Sequence, residues 1–350
     1  MKKIISLLLV TCLLLVAGCS GASTSTPAPT TPANPSTPSS EAPVKKDLVT
    51  IECGGAGNTT AVYAGHVALS DAVNRNSDFV RINVQATAGS TAHYKMFEDK
   101  DIDMGTGSGW ADVKAYAGGT ELYPEPMLGF GTAIIISKNF QSIIVRSNSG
   151  INSVADLAGK KIGVGSKGSP ASEMAIGTLT ALGVTNAEYA YLTTGEVADM
   201  FKDGQLDCLI STNPVGNANL IDVTSSVDCK FINITEEEMK ICMENDLKGK
   251  TTPSYLTHDD YPTAIPAGEK IYTITDYSGT NISLDVADDV VYEICKLYWD
   301  NIVDVRTAVA GNNGNAEDIL MATAVVHPGA AQYYKEVLNI DLPAEKIAKR

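Results

Sequence analysis

The sequence predicts an α/β protein of two lobes with a hinge and a cleft between them. Three observations carry this. Short apolar strands alternate with amphipathic helical stretches from Asp47 onward. A strand ends near Arg146 and Ser147-Asn148-Ser149-Gly150 supplies turn chemistry before a second strand-helix series begins. Pro262, Pro266 and Gly268 then interrupt regular structure between Tyr261 and Tyr277, where the chain is expected to cross back. The expected first lobe is residues 47–146 and 271–350, and the second is 147–270.

Strands are expected at Val49–Cys53, Val80–Ala86, Ile102–Gly105, Ala133–Ile136, Ile143–Val145, Lys161–Val164, Tyr189–Leu192, Leu206–Ile210 and Lys230–Ile234. Helical spacing covers Thr60–Asn74, Thr91–Asp99, Ala111–Ala117, Ala171–Leu182 and Glu196–Asp203. Near the C-terminus, Val286–Ala310 and Ala316–Val326 read as longer helices, and Gly329–Val337 as a short one.

Ahead of the lobes, residues 1–18 read as a signal peptide. Lys2 and Lys3 precede the apolar run Ile4–Val16, which is too short to span a bilayer comfortably. Leu15-Val16-Ala17-Gly18-Cys19 resembles a bacterial lipobox, so Cys19 is the expected lipid-bearing first residue of the mature chain. The expected location is extracytoplasmic, on the outer leaflet of the cell membrane. Residues 19–46 are rich in Ser, Thr, Pro and Ala, and read as an extended, solvated tether.

The chain has 26 basic and 41 acidic residues. Lys2 and Lys3 leave with the signal, so the mature body is more acidic still. That balance disfavours nucleic acid as a partner. Of seven cysteines, Cys12 leaves with the signal and Cys19 carries lipid. Cys53, Cys208 and Cys295 lie in apolar runs and read as buried small hydrophobes. The spacing leaves a Cys229–Cys242 bond open. His66, His93, His258 and His327 are scattered without metal spacing, and no nucleophile elbow or P-loop is present. Asp101, Asp103, Asp259 and Asp260 lack the partners that acid–base work needs. No enzyme activity, cofactor or metal is expected.

Binding is expected where strands end and helices begin. In Gly165-Ser166-Lys167-Gly168-Ser169-Pro170, Ser169 is a natural N-cap and Pro170 fits the first helical position. Free N–H groups and the helix dipole suit an anion there, with Ser166 and Ser169 as donors and Lys167 as a cation. The spelling Gly163-x-Gly165-x-x-Gly168 matches a dinucleotide loop, but Glu188 stands at the start of the next strand rather than its end. Gly54-Gly55-Ala56-Gly57-Asn58-Thr59-Thr60 is a similar turn in the first lobe. Thr87-Ala88-Gly89-Ser90-Thr91, Gly105-Thr106-Gly107-Ser108-Gly109-Trp110 and Ser211-Thr212-Asn213-Pro214 also set small polar residues at strand ends. Trp110 fits a pocket wall or a packed core equally well.

These turns resemble the TAXI family of solute receptors, the binding proteins of tripartite (TRAP) transporters. The matching pieces are Gly54–Thr59, Ala88-Gly89-Ser90, Asp101-Ile102-Asp103, the run Ser149–Gly165, Gly168-Ser169, and His327-Pro328-Gly329-Ala330-Ala331-Gln332-Tyr333-Tyr334. The resemblance implies a periplasmic-binding-protein-like fold closing on a small carboxylate, glutamate-like or a dicarboxylate. It also implies delivery to a sodium-driven TRAP permease. Carried over by position, the contacts come from Asn58, Thr59, Thr60, Ser90, Ser166, Ser169 and Asn213. Ser108, Lys167 and Gly168 join them from the turns above. Where the family has Gly-Thr-Tyr-Tyr, this chain has Asn58-Thr59-Thr60-Ala61, with Tyr63 the nearest tyrosine. The segment after Pro266 is also shorter than the family's. A monomer is expected. A receptor for an ATP-driven importer, a sensory lipoprotein and an enzyme on this fold stay open as alternatives.

Overall fold

The computed structural model describes residues 46–349 apart from 59, 245–248 and 310. The signal peptide, Cys19, the tether up to residue 45 and Thr59 lie outside the described residues. The first strand-helix series is β1 (Val49–Gly54), α1 (Ala61–Asn76), β2 (Val80–Gln85), α2 (Ser90–Glu98), β3 (Met104–Ser108), α3 (Gly109–Ala117) and β4 (Phe130–Arg146). The second is β5 (Lys161–Val164), α4 (Pro170–Ala181), β6 (Glu188–Tyr191), α5 (Thr194–Lys202), β7 (Cys208–Asn213), α6 (Ala218–Ser226), β8 (Cys229–Phe231), α7 (Glu236–Glu244) and β9 (Thr252–Thr257). The chain returns through β10 (Lys270–Ser283) and ends with α8 (Asp288–Asp300), α9 (Ile302–Ala308) and α10 (Pro328–Glu336).

One curled sheet runs in the order β2-β1-β3-β10-β4-β7-β5-β6. Each lobe owns a parallel set: β1 pairs with β2 and β3, and β5 pairs with β6 and β7. Antiparallel β4 and β10 join the sets. The later part of β10 pairs with β3, whereas the later part of β4 pairs with β7. Two long strands thus pass between the lobes, and their mutual register shifts at Ser278/Gly279 and Thr280/Asn281. The fold is α/β and two-lobed, with a periplasmic-binding-protein-like arrangement.

Apolar faces explain the layers. Ile51, Leu69, Val73, Ile134, Ile294, Tyr298 and Tyr334 close the first lobe's main core. Ile143, Val164, Met174, Leu179 and Ile210 fill one side of the second lobe's sheet, and Phe201, Leu209, Leu220 and Phe231 the other. Each such side chain contributes roughly 1.5–3 kcal/mol when buried.

Several elements differ from expectation. The strands expected at Ala133–Ile136 and Ile143–Val145 are one strand. Polar Ser137, Lys138, Asn139, Gln141 and Ser142 interrupt its apolar pattern where it crosses between lobes. The strand expected at Ile102–Gly105 lies later, at Met104–Ser108, because its glycines pack against neighbouring side chains. A Cβ on Gly105 would stand 2.9 Å from His93 Nδ1. The helix expected over Val286–Ala310 breaks at Asn301, whose amide donates to Leu297 O at 2.8 Å and competes with helical pairing. Ala316–Val326 forms only a short 3-10 turn over Ala316–Met321, after which Val326 bridges to Thr132 and Ile347 in extended form. Helices α6 and α7 and strands β9 and β10 were not expected.

Cys229 and Cys242 are both buried free thiols, as are Cys53, Cys208 and Cys295. Among the described residues, no helix is long and apolar enough to cross a membrane, and no cluster of His, Cys, Asp and Glu could hold a metal.

Candidate functional site

A cavity of about 510 Å³ lies between the two parallel sets, walled by both lobes and by the crossing strands. Four helices begin at its wall. From the first lobe come α2, through Gly89, Ser90 and Thr91, and α3, through Ser108. From the second come α4, through Ser169, Pro170 and Ala171, and α6, through Asn217. Each helix start carries partial positive charge, so their dipoles make the cavity favourable to an anion.

The four starts are capped differently. Ser169 accepts from Ser172 N at 3.2 Å, and Ser108 accepts from Ala111 N at 3.3 Å. Asn217 accepts from Asn219 N and Leu220 N. Helix α2 has Gly89 at its cap and no capping side chain; at φ 108° and ψ −172° that backbone suits only glycine.

Seven residues expected at the site line this cavity: Ser90, Ser108, Ser166, Lys167, Gly168, Ser169 and Asn213. Ser166, Lys167 and Gly168 are exposed at its mouth, where Lys167 Nζ stands 6.0 Å from the Tyr191 ring centre. Asn213 is held from both sides, its amide donating to Ser211 Oγ and its carbonyl accepting from Asn217 Nδ2 at 3.2 Å. Two expected residues stand elsewhere. Asn58 and Thr60 are exposed and do not line the cavity. Thr60 caps α1, accepting from Tyr63 N at 3.1 Å and donating to Gly57 O at 2.7 Å. Trp110, left between wall and core by the sequence, is 2% exposed and packs in the second lobe's core.

Sequence reasoning missed the middle of the wall. Ser137, Asn139, Asp276 and Ser278 come from β4 and β10, and Val309, Gly311 and Asn312 from the segment after α9. A polar run inside an otherwise apolar strand was the available signal for the first group. Asn139 donates to Ser278 Oγ at 2.7 Å, tying the two crossing strands together inside the cavity.

His93 fixes the first lobe's side. Strand β1 ends at Gly54, leaving Thr106 on β3 without a strand neighbour on that side. The imidazole fills the gap. His93 Nδ1 lies 3.1 Å from Thr106 N and 3.2 Å from Thr106 O, and Nε2 lies 2.6 Å from Thr87 Oγ1. Thr87 Oγ1 in turn accepts from Ala56 N at 2.9 Å. One ring therefore ties the Ala56 and Thr87 turns to β3, and Ala56 and Thr106 both line the wall. Gly54 and Gly105 leave it room: a Cβ on Gly54 would stand 2.6 Å from Nε2. Burial lowers the His93 pKa, so the ring is neutral.

Asp276 is the acid in the wall. It is 4% exposed, and its Oδ1 accepts from Trp110 N at 3.1 Å. Burial, with nearby Asp112 adding, pushes its pKa up to about 7. Asp112 lies behind it, taking hydrogen bonds from Tyr94 Oη at 2.7 Å and Asn281 Nδ2 at 2.8 Å; burial raises its pKa to about 6. The cavity thus combines helix starts, hydroxyls, a lysine at the mouth and a buried acid whose pKa is raised.

Solved structures are similar to this one. A TctC solute-binding protein from Polaromonas superposes with a TM-score of 0.51 at 14% identity, over 83% of this chain and 98% of that one. MatC from Rhodopseudomonas palustris, solved with bound malate, gives 0.48 at 12%, over 76% and 88%. The alkanesulfonate-binding protein SsuA from Xanthomonas axonopodis pv. citri, bound to MOPS, gives 0.42 at 14%, over 76% and 79%. A model of the NMT1-like family matches residues 53–337, which include the crossing strands and the whole cavity wall, and the chain belongs to that family.

Proposed function

We propose that this protein is a lipid-anchored extracytoplasmic solute receptor that binds a small carboxylate between its lobes. It passes the ligand to a TRAP-type membrane permease and performs no chemistry on it. The convergence of four helix starts on one interlobe cavity carries the reading. Such a site holds an anion through backbone donors without a permanent cluster of basic side chains. The resemblance to TAXI receptors, and the fold shared with a TctC solute-binding protein, support the role. Cys19 would tether the body to the outer leaflet through the Ser/Thr/Pro-rich segment. The tether would raise the effective concentration of receptor at the permease.

On this reading the lobes are 47–146 with 271–350, and 147–270. A carboxylate sits at the α4 start, on Ser166, Gly168 and Ser169, with Lys167 at the mouth and Ser90, Ser108 and Asn213 completing the wall. Ligand touching both lobes favours the closed form, which the permease recognises. A thermal-shift screen of amino acids and small mono- and dicarboxylates tests it, because a ligand that binds only the folded state raises apparent stability. At least one carboxylate should raise the melting temperature, and Ser166→Ala with Ser169→Ala should weaken its binding by about 1–3 kcal/mol. No response to any carboxylate at millimolar concentration would refute the assignment.

A further inference from the structure

The segment after α9 is tied down on the first lobe's side. Arg306 Nη2 donates to Gly314 O at 2.6 Å. Gly314 N donates to Ile136 O at 2.8 Å, and Lys138 N donates to Asn313 Oδ1 at 2.8 Å. Both partners lie on β4 just before Phe140, where its pairing with β7 begins. A Cβ on Gly314 would collide with Ile135 O, so the segment lies flush on that strand. The Asn312 side-chain amide and the Tyr298 hydroxyl, 3.0 Å apart, join it to α8. Its remaining contact is with the second lobe. A Cβ on Gly311 would stand 2.9 Å from Pro214 Cγ and 3.3 Å from Pro214 Cβ. Asn217 N donates to Pro214 O at 3.3 Å, so Pro214 belongs to the turn that caps α6. Gly311, Asn213, Pro214 and Asn217 all line the cavity. A first-lobe segment anchored beside the crossing strands therefore abuts a second-lobe wall.

We infer that this segment is an interlobe stop, and that the Gly311–Pro214 contact sets how far the lobes close and hence the length of ligand they enclose. The inference rests on the reading of the protein as a receptor whose lobes close on a carboxylate. Packed protein atoms resist compression, so the Pro214 turn cannot approach further without displacing Gly311. Gly311 in turn cannot retreat, because the residues after it are held on β4 and α8. The contact lies close to the strands on which the lobes would turn. A small change there becomes a larger one at the cavity mouth, as in any hinge. Glycine at 311 answers two separate demands. Its φ of +97° is strained for a residue with a side chain, and its missing Cβ leaves Pro214 its place.

Calorimetry on the mature receptor tests this with straight-chain acids of increasing length, from acetate to octanoate and from oxalate to suberate. The wild type should bind one length best. Pro214→Ala clears the stop without touching the backbone at 311, and should move the optimum to a shorter acid. Gly311→Ala places a Cβ against Pro214. It should move the optimum to a longer acid and weaken the wild type's best acid by about tenfold. Combining the two changes should return the optimum to the wild-type length. The melting temperature of the double variant should stay below that of Pro214→Ala, because backbone strain at 311 remains. That rescue separates the contact from the strain. An unchanged optimum in all three variants would overturn the inference. So would a loss in Gly311→Ala that Pro214→Ala does not relieve, since glycine would then serve the backbone alone. Either result leaves the receptor reading standing. A wild type that binds no acid of either series would remove both.

Discussion

The indole Nε1 of Trp110 on α3 donates to Glu173 Oε2 on α4 at 2.8 Å, joining a first-lobe helix to a second-lobe one. Lys114 Nζ reaches the same oxygen at 2.6 Å, and Lys250 Nζ lies 4.6 Å from the Trp110 ring centre. Beneath the indole, Gly177 leaves room: a Cβ there would stand 2.8 Å from Trp110 Cη2. Both helices start at the cavity, so this contact holds the two walls together. Glu173→Ala should loosen it. Lys114 and Glu173 are about a third exposed, so solvent screens the pair and the loss should be about 1 kcal/mol. It should show as weaker ligand binding and a larger radius of gyration in solution scattering. Unchanged scattering and affinity would mean that the contact does not govern lobe closure.

His93 gives a second prediction. Its ring bridges Thr87 and Thr106, and through Thr87 it reaches Ala56. His93→Leu keeps bulk but loses both bonds, and should cost about 1–3 kcal/mol of stability. Carboxylate binding should weaken as well, because two wall segments lose their common tie. Thr87→Val should reproduce part of this. The double variant should cost less than the sum, since both changes break one network. Additive losses in a double-mutant cycle would show that the ring acts through packing alone.

The parts that local chemistry dictates were legible in the sequence. Ser169-Pro170 spells a helix start whatever surrounds it, and Gly165 and Gly168 mark the turn before it. The alternation of strands and helices gave the lobes for the same reason. The crossing strands were less legible. Asn139, Gln141 and Asp276 are buried polar residues in strands, so they break the apolar pattern from which burial is read. Their burial follows from the meeting of two lobes, a tertiary fact. Asn312 sits in an irregular segment and bonds to Tyr298, 14 residues away, with no motif to mark it. Asn58 and Thr60 show the converse: a turn with the right spelling spends its hydroxyl on capping α1.

A thiol count tests the cysteines and the anchor together. Burial raises the pKa of Cys53, Cys208 and Cys295, and pushes Cys229 and Cys242 up to about 11. All five are buried, so neither access nor thiolate favours reaction with a thiol reagent. The native mature protein should react slowly. After unfolding in denaturant without reductant, five thiols should react if, as proposed, Cys12 leaves with the signal and the Cys19 sulfur is held in a thioether. A count one higher would mean that Cys19 is unmodified. A count two lower would mean that Cys229 and Cys242 pair after all.

Asp276 should make both stability and ligand binding depend on pH. Its folded pKa of about 7 lies above the ordinary value of 3.8. Between those values the folded state keeps a proton that the unfolded state releases. The contribution is therefore fully present below about pH 3.8 and is lost as pH rises through about 7, a change of roughly 4 kcal/mol. His66 acts the other way. Burial lowers its pKa from 6.5 to about 4, so stability falls as pH drops through that window. The Asp276 contribution must therefore be read as the difference between the wild type and Asp276→Asn, which stays neutral throughout. In the wild type, stability should decline relative to the variant from pH 4 to 7. A carboxylate ligand should also bind more weakly above pH 7, where the wall acid is anionic and repels it. Parallel stability curves for the two proteins, or an affinity independent of pH from 6 to 8, would show that Asp276 is already ionised in the folded protein.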